Sequence, residues 1–222
     1  MVEELSRDEV LRAVDQAVEE LLARAGVEGP PVDAVALAAR PLGLTVRVKK
    51  GVADRAERRQ WVAAEAIGEH LKPQVRTRLG VERGAVTAKL VAARLLLPEA
   101  WFPSDAAACT HDLARLKERY RTASHEALAW RLLDLPEPCV ITVVDDGHVY
   151  RRRSNAWRVK KQLAEPEKRC EEHVRKHGEQ HEVRAAGWTV RGWPVPHEGW
   201  PRVILRSVAD AEALHGGREA GL

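Results

Sequence analysis

The chain has 222 residues, of which 45% are hydrophobic, so it is long enough for one large domain or two smaller ones with buried cores. Its net charge of +3 is nearly balanced, so the overall charge does not indicate a nucleic-acid or membrane partner. The three widely spaced cysteines predict free thiols in a reducing cytoplasm and exclude a disulfide framework. The charged N-terminus is unlike a signal peptide, and no apolar run approaches the roughly 18 residues of a membrane span.

The first part of the chain predicts two helices and a strand. Ser6 opens a capping box, and apolar residues then recur at helical spacing to about Ala25. Gly29-Pro30-Pro31 ends that helix, and a short helix is predicted from Val32 to Pro41. Leu44 to Val48 alternates apolar and polar residues, which predicts a strand.

The middle of the chain predicts helices only. One carries Glu65 and Glu69 and is expected to end near Pro73, because proline interrupts the helical hydrogen bonds. A second helix is predicted from Val86 to Leu97, where apolar residues step by four, three and four. Residues 105–133 supply one or two further helices.

The last part of the chain predicts strands around one polar helix. Cys139 to Val144 is rich in β-branched residues, and Asp146-Gly147 is typical of a hairpin turn. A polar helix is predicted from Glu165 to Lys176, and two or three short strands from Glu182 to Arg206. Helices followed by strands predict an α+β fold: a mainly helical N-terminal domain with a small sheet, then a smaller α+β region, with the change at Pro136.

Glu65 and Glu69 lie four residues apart, so they share one face of their helix. Metallopeptidases with an H-E-x-x-H motif place two zinc-binding imidazoles at this spacing, with a glutamate base directly after the first. Here Glu65-Ala66-Ile67-Gly68-Glu69 puts a carboxylate at both ligand positions and Ala66 at the base position. The alternative is a pair of solvated carboxylates, because like charges at this spacing destabilise a helix by only about 0.2–0.5 kcal/mol.

Together with this helix, three further segments resemble the ImmA/IrrE family of bacterial metallo-endopeptidase-like proteins. Gly29-Pro30-Pro31-Val32-Asp33, followed by Leu42-Gly43-Leu44-x-Val46, is similar to the opening of that family's domain. Ala88 to Pro98 resembles its A-N-x-F-A-A-x-L-L-M-P helix, and Thr122 to Leu132 resembles the segment that closes the domain. The resemblance covers roughly residues 8 to 135 and implies a metallopeptidase-like domain over residues 1–135. The α+β C-terminal region over residues 136–222 is predicted from its own residue pattern.

By this resemblance, the first metal ligand is Glu65, the general base position is Ala66 and the second ligand is Glu69. Carboxylates suit Mg²⁺, Ca²⁺ or Mn²⁺ better than a zinc site built on imidazole. Ala66 has no side chain that takes a proton from bound water, and a positioned general base is typically worth about 10²–10⁴-fold in rate. We therefore expect a degenerate metal site and no catalytic residue in it.

The resemblance places a third ligand near Ala85, where the sequence has no acidic residue. Glu82 lies one helical turn away and is the candidate substitute, and His70 is a further candidate ligand beside Glu69. We expect no cofactor, and zinc is the divalent metal that the resemblance implies if one binds.

Two weaker patterns lie in the C-terminal region. Cys170, His173 and His177 have spacing that brings soft and imidazole ligands to one side of a helix, which makes them a second candidate metal site; solvated histidines are the alternative. Residues 150–161 are basic with interleaved aromatic residues, which is typical of nucleic-acid backbones and stacked bases, of an acidic protein partner, or of a solvated hairpin face. The candidate contacts are Arg151, Arg152, Arg153, Trp157, Arg158, Lys160 and Lys161.

The sequence thus leaves three hypotheses. The first is a bacterial, cytoplasmic pseudoenzyme of ImmA/IrrE type that acts as a regulatory or binding module, with a protein partner such as a helix-turn-helix transcriptional regulator. The second is an active metallo-endopeptidase that cleaves such a repressor. The third is a nucleic-acid-binding protein that uses residues 150–161. None of them involves a membrane.

Overall fold

The computed structural model describes residues 5–46, 55–81 and 86–210. Contacts divide the chain into two compact units, Met1–Ser124 and His125–Leu222. The described part of the first unit contains α1 (Arg7–Arg24), α2 (Ala34–Ala39), α3 (Ala56–Leu79), α4 (Ala88–Leu96), α5 (Phe102–Ala108) and α6 (Leu113–Arg119). The described part of the second contains α7 (His125–Leu132), β1 (Val140–Asp145), β2 (His148–Ser154), α8 (Glu165–His177), β3 (His181–Ala185), β4 (Trp188–Val195) and β5 (Arg202–Ala209). The predicted α+β class is confirmed.

Local capping explains where the first helices begin. The predicted capping box is present: the Glu9 backbone N–H donates to Ser6 Oγ at 3.2 Å, and the Ser6 N–H donates to Glu9 Oε2 at 2.8 Å. At α2, Asp33 Oδ1 accepts from the Ala36 N–H at 3.0 Å, and Gln60 Oε1 accepts from the Ala34 N–H at 2.7 Å. Gln60 belongs to α3, so the start of α2 is fixed to a second helix.

Residues 44–46 form no strand, contrary to the prediction for Leu44–Val48, and residues 47 and 48 lie outside the described part. The Leu44 N–H donates to the Ala38 carbonyl at 2.8 Å, and Gly43 has a φ of 59°. The chain therefore folds back on the end of α2. This hydrogen bond uses the Leu44 N–H, which a strand would need for pairing in a sheet.

The helix that carries Glu65 does not end near Pro73. It continues to Leu79 and ends at Gly80, whose φ of 65° is the left-handed conformation common at helix ends. Leu71 and Val75 are buried on either side of the proline. Proline in a helix interior costs about 3 kcal/mol, which burial of two such side chains, at about 1.5–3 kcal/mol each, offsets.

Residues 105–133 belong to three helices, where the sequence predicted one or two. Thr110 and His111 have φ of 52° and 55°, so the chain turns sharply after α5. Asp112 then caps α6 by accepting from the Arg115 N–H at 3.0 Å. The third of these helices, α7, groups with the strands that follow it, although the sequence changes character only at Pro136.

The second unit is built on a five-stranded antiparallel sheet with the strand order β2-β1-β5-β4-β3. The predicted hairpin is confirmed: Asp146 and Gly147 join β1 to β2 with φ of 47° and 76°. Three strands, β3, β4 and β5, occupy the region where two or three were expected. β2 and β3 are the two edges of this sheet.

Helix α8 packs on one face of that sheet. It lies close to β4 because the β4 residue that faces it is a glycine. A Cβ built at Gly192 would lie 2.9 Å from Cys170 Sγ and 3.0 Å from Val174 Cγ2, both on α8. These two side chains lie in a buried cluster with residues of all the strands except β2: Val140, Val144, Val183, Trp188, Val190, Val203, Leu205 and Ala209.

A buried carboxylate on α8 connects the helix to two strands. Glu167 Oε2 accepts from Arg152 Nη1 of β2 at 2.6 Å, and Glu167 Oε1 accepts from Ser207 Oγ of β5 at 2.8 Å. The side chains of Arg152 and Glu167 are 2% and 0% exposed. Burying two charges is tolerated here because they face each other at hydrogen-bond distance. None of the helices in the described ranges is both long and apolar enough to cross a membrane.

Candidate functional site

The predicted metal ligands on α3 occupy the half-buried and exposed side of the helix. Glu65 and Ala66 are half-buried, while Glu69 and His70 are exposed. The Glu69 side chain is 62% exposed, and its Oε2 accepts from Lys72 Nζ at 2.5 Å. The second ligand position thus carries a solvated carboxylate that is paired with a lysine.

Residues between these positions form a tight contact with the next helix. Ile67 and Gly68 are buried, and a Cβ built at Gly68 would lie 2.5 Å from the backbone oxygen of Ala88. Ala88 is the first residue of α4, the helix that resembles the family's A-N-x-F-A-A segment. The glycine therefore allows the backbones of α3 and α4 to approach closely.

This set of donors does not fit a catalytic zinc ion. Ala66 provides no proton acceptor, and Glu69 is held by Lys72 at the surface. Glu82, the substitute third ligand, lies outside the described residues. Within the three described ranges, no group of three or more His, Cys, Asp or Glu side chains is arranged to hold a metal ion.

In the second candidate metal site, the cysteine is directed away from the surface. Cys170 is fully buried, and its Sγ donates to the backbone oxygens of His181 at 3.4 Å and Val190 at 3.8 Å. Burial raises the pKa of the thiol to about 12, helped by the nearby carboxylate of Glu167. Cys170 therefore lies in the core as a thiol that is hydrogen-bonded to backbone oxygens.

The histidines of this region do meet, but outside the core. The ring of His173 stacks on that of His181 with 3.7 Å between centroids, and the His177 ring lies 4.4 Å from His173. His173 Nε2 lies 3.6 Å from Glu179 Oε1. Gly178 ends α8 with a φ of 69°, and His181 returns beside His173 in the strand that follows.

The basic residues of 150–161 are distributed over both faces of the sheet, because side chains alternate along β2. Arg151 and Arg153 are exposed, whereas Arg152 lies on the face that α8 covers. The prediction from sequence grouped the three arginines as one basic binding segment. Successive side chains of a strand point to opposite faces, and this alternation is the signal that separates Arg152 from its two neighbours.

A pocket of about 290 Å³ lies at this part of the second unit. Its lining consists of Tyr150, Arg151, Arg152, Arg153, Val159 and Lys161, and we call it the β2 pocket. Arg158 and Lys160 are exposed but do not line it. Trp157 packs against Trp188 of the core with 5.3 Å between ring centroids, so it supports the loop after β2.

The cations of the β2 pocket are held differently from one another. Arg152 pairs with Glu167, and Arg151 Nη1 lies 3.8 Å from Glu126 Oε1 of α7. The Arg153 guanidinium stands 5.6 Å from the ring centroid of Trp130, a cation–π contact that fixes its position without neutralising it. The pocket therefore keeps a positive balance.

Tyr150 is the exposed aromatic residue of this pocket, with 48% of its surface accessible. Two guanidinium groups stand near its ring, Arg151 at 5.3 Å and Arg202 at 5.5 Å from the centroid. Arg202 is fixed by Asp145, and this pair was not among the predicted site residues. Exposed aromatic and cationic groups around a concave surface suit an anionic ligand with an aromatic part.

The first unit thus contains the α3 surface around Glu65 and Glu69, and the second unit contains the histidine cluster at the end of α8 and the β2 pocket. The β2 pocket is concave and positively charged. Comparison of the chain with protein-family models and with curated proteins gives no match.

Proposed function

We propose that this chain is a non-hydrolytic binding and regulatory module of ImmA/IrrE type whose partner is a helix-turn-helix transcriptional regulator. The observation that carries the proposal is on α3, where a metallopeptidase needs a base and a second ligand. Ala66 stands at the base position, and the carboxylate of Glu69 is exposed and paired with Lys72. Hydrolysis lacks its proton acceptor there.

The packing of α3 against α4 supports the proposed scaffold. Both helices carry segments that resemble the family, and they pack against each other at Gly68 and Ala88. α3 also packs against α1 and α2, so the helix with the degenerate motif lies at the centre of the first unit. If an ancestral peptidase kept its scaffold but lost hydrolysis, its motif helix would stay in the core while the reactive side chains on its surface changed.

Restoring the motif tests this ancestry. We expect the variant Glu65→His/Ala66→Glu/Glu69→His to bind Zn²⁺ at least about tenfold more tightly than the parent chain, because two imidazoles at this spacing form half of a zinc site. The measurement is competition against a chromophoric zinc chelator. A matched control is Arg12→His/Gln16→His, which puts the same pair on an exposed face of α1.

If the restored variant binds zinc no better than the α1 control, the α3 surface is an ordinary helix face and the proposed ancestry fails. Retained folding of each variant is checked by circular dichroism, since Glu65 is half-buried.

The proposed partner is tested with the helix-turn-helix regulator encoded nearest to this chain's gene. We expect the two purified proteins to co-elute in size-exclusion chromatography, and the regulator to stay intact when Zn²⁺ or Mn²⁺ is added. Cleavage that a chelator abolishes would establish the metallo-endopeptidase alternative instead. Intact, separately eluting proteins would contradict the proposed partner class.

A further inference from the structure

We propose that the β2 pocket binds a backbone phosphate of single-stranded nucleic acid, with a base beside Tyr150. All residues of the pocket lie in the second unit, so the proposal does not depend on the ImmA/IrrE-like function of the first. It rests on the hydrogen bonds of Arg152, the charges around the pocket and the exposure of Tyr150.

Arg152 has one of its hydrogen-bonding edges unused. Its Nη1 donates to Glu167 Oε2 at 2.6 Å and to Thr142 Oγ1 at 3.3 Å. Its Nε and Nη2 are buried and have no hydrogen-bond partner among the residues that the structure describes. Buried donors are nearly always paired, so two such donors on one side chain of a pocket wall indicate a ligand or ordered water.

The geometry of these two nitrogens suggests which ligand. Nε and Nη2 form the side-on fork of a guanidinium group, which donates two parallel hydrogen bonds to a carboxylate or a phosphate. The same sheet contains an example: Arg202 Nε donates to Asp145 Oδ1 at 2.6 Å, and Arg202 Nη2 donates to Asp145 Oδ2 at 2.7 Å. Arg152, which lines the β2 pocket, has the corresponding edge unpaired.

The other cations of the pocket add to this attraction. Arg151, Arg153 and Lys161 line the pocket and are exposed at its rim. Glu167 offsets the charge of Arg152, and Glu126 stands 3.8 Å from Arg151, so Arg153 and Lys161 supply the excess positive charge. That excess favours an anionic ligand, such as a backbone phosphate, over a neutral one.

Tyr150 makes nucleic acid the favoured source of the phosphate. Tyr150 is 48% exposed and lies on the same edge strand as the three arginines. Stacking of a base on such a ring is tolerant of sequence, and it accompanies a basic groove in proteins that bind single strands. An acidic protein segment would satisfy the arginines but would gain nothing from an exposed aromatic ring.

The test uses the full chain and a short fluorescein-labelled oligothymidine, with fluorescence anisotropy at several salt concentrations. We expect Arg153→Gln/Lys161→Gln to weaken binding by at least about tenfold and to lower the salt slope by about 1 for each phosphate that is no longer neutralised. The matched control is Arg184→Gln on β3, the other edge of the sheet, where the side chain is 75% exposed. This control should bind within about twofold of the parent.

A second variant tests the fork itself. Arg152→Lys keeps the positive charge opposite Glu167 but removes the bidentate edge, so we expect weaker binding with an unchanged circular dichroism spectrum. Tyr150→Leu should weaken the oligothymidine and leave inorganic phosphate unaffected, because only the former stacks. Inorganic phosphate and thymidine monophosphate serve as competitors.

Several results would overturn the proposal. Competition by polyglutamate as strong as that by unlabelled oligothymidine would assign the pocket to an acidic protein. Displacement by free phosphate or thymidine monophosphate as effective as by the oligonucleotide would assign it to a free anion. An equal loss of binding in Arg184→Gln would show that net charge, and not this pocket, attracts the oligonucleotide.

Discussion

Two glycines set how closely elements approach each other in this protein. A Cβ at Gly68 would lie 2.5 Å from the Ala88 backbone oxygen, and a Cβ at Gly192 would lie 2.9 Å from Cys170 Sγ. Neither has the positive φ that favours glycine for backbone reasons, so space is the reason for both. The neighbour of Gly68 is the backbone of Ala88, which cannot rotate away from an added methyl group as a flexible side chain can.

Substitution of Gly68 tests this close approach. We expect Gly68→Ala to lower the free energy of unfolding by about 1–3 kcal/mol, because α3 and α4 must move apart to admit the methyl group. Urea denaturation followed by circular dichroism measures it. Gly29→Ala is the matched control, because no atom lies within 4 Å of its Cβ position. A loss of similar size at Gly29 would mean that the effect at Gly68 does not come from packing.

The thiol of Cys170 gives the second unit a pH dependence with a defined sign. Burial raises the pKa of this thiol to about 12 in the folded chain, above the 9.0 of an exposed cysteine. As pH rises from about 9, the unfolded chain loses this proton first, so stability that is present below pH 9 is progressively lost up to about pH 12.

We therefore expect the free energy of unfolding to fall more steeply with pH in the parent chain than in Cys170→Ala over that window. The difference should reach at most about 4 kcal/mol, since one pKa unit corresponds to about 1.4 kcal/mol. Urea denaturation at a series of pH values measures both chains. Parallel curves would show that the thiol is not held protonated by the fold.

Among the elements, α3 shows most clearly how packing overrides local preference. Pro73 predicted its end, yet the helix runs for 24 residues from Ala56 to Leu79. The carbonyl of Glu69 has no helical donor at position 73, because proline lacks an N–H. Burial of Leu71 and Val75 on the face toward the other helices keeps the chain helical through this position.

We expect Pro73→Ala to raise the free energy of unfolding by about 2 kcal/mol, because it restores the hydrogen bond to the Glu69 carbonyl and removes the steric conflict of the ring. Thermal and urea denaturation provide the measurement. Arg58→Ala, an exposed change near the start of the same helix, should shift stability by less than about 0.5 kcal/mol. An unstable Pro73→Ala chain would mean that the proline bends α3 into its packed position.

On the scale of the whole molecule, the chain divides into two compact units. The buried cluster under α8 draws all its members from Val140 to Ala209, within the second unit. The carboxylate of Glu167 accepts one hydrogen bond from Arg152 Nη1 and one from Ser207 Oγ inside the same unit. A unit that completes its own core and its own buried ion pair has the properties of an independent domain.

We expect a chain of residues 125–222 to fold alone, with a cooperative thermal transition and near-ultraviolet dichroism from Trp157 and Trp188, whose rings lie 5.3 Å apart. Dispersed amide signals in a two-dimensional NMR spectrum would confirm it. A chain of residues 136–222, which begins after α7, should be less stable, because α7 packs against β1 and β5. Equal stability of the two chains would place the domain boundary at Pro136.

Much of the secondary structure was predictable because its signals are local. The capping box at Ser6, the turn at Asp146-Gly147 and the end of α8 at Gly178 each depend on a few neighbouring residues. The predictions failed where distant residues decided the outcome, as at Pro73 and at Leu44, whose N–H is used by the end of α2. Placement of the candidate site residues depended on such distant neighbours as well.

The sequence by itself determined the α+β class, most helices and strands, and the presence of carboxylates at positions 65 and 69 on one face of a helix. Only the tertiary structure decided which ionisable groups are buried and what they face. In that structure the Cys170 side chain is buried in the core, Arg152 is paired with Glu167, and the other cations of β2 lie around an open pocket. The physical reason is that hydrogen-bonding partners and desolvation come from residues far apart in the chain, which local patterns do not specify.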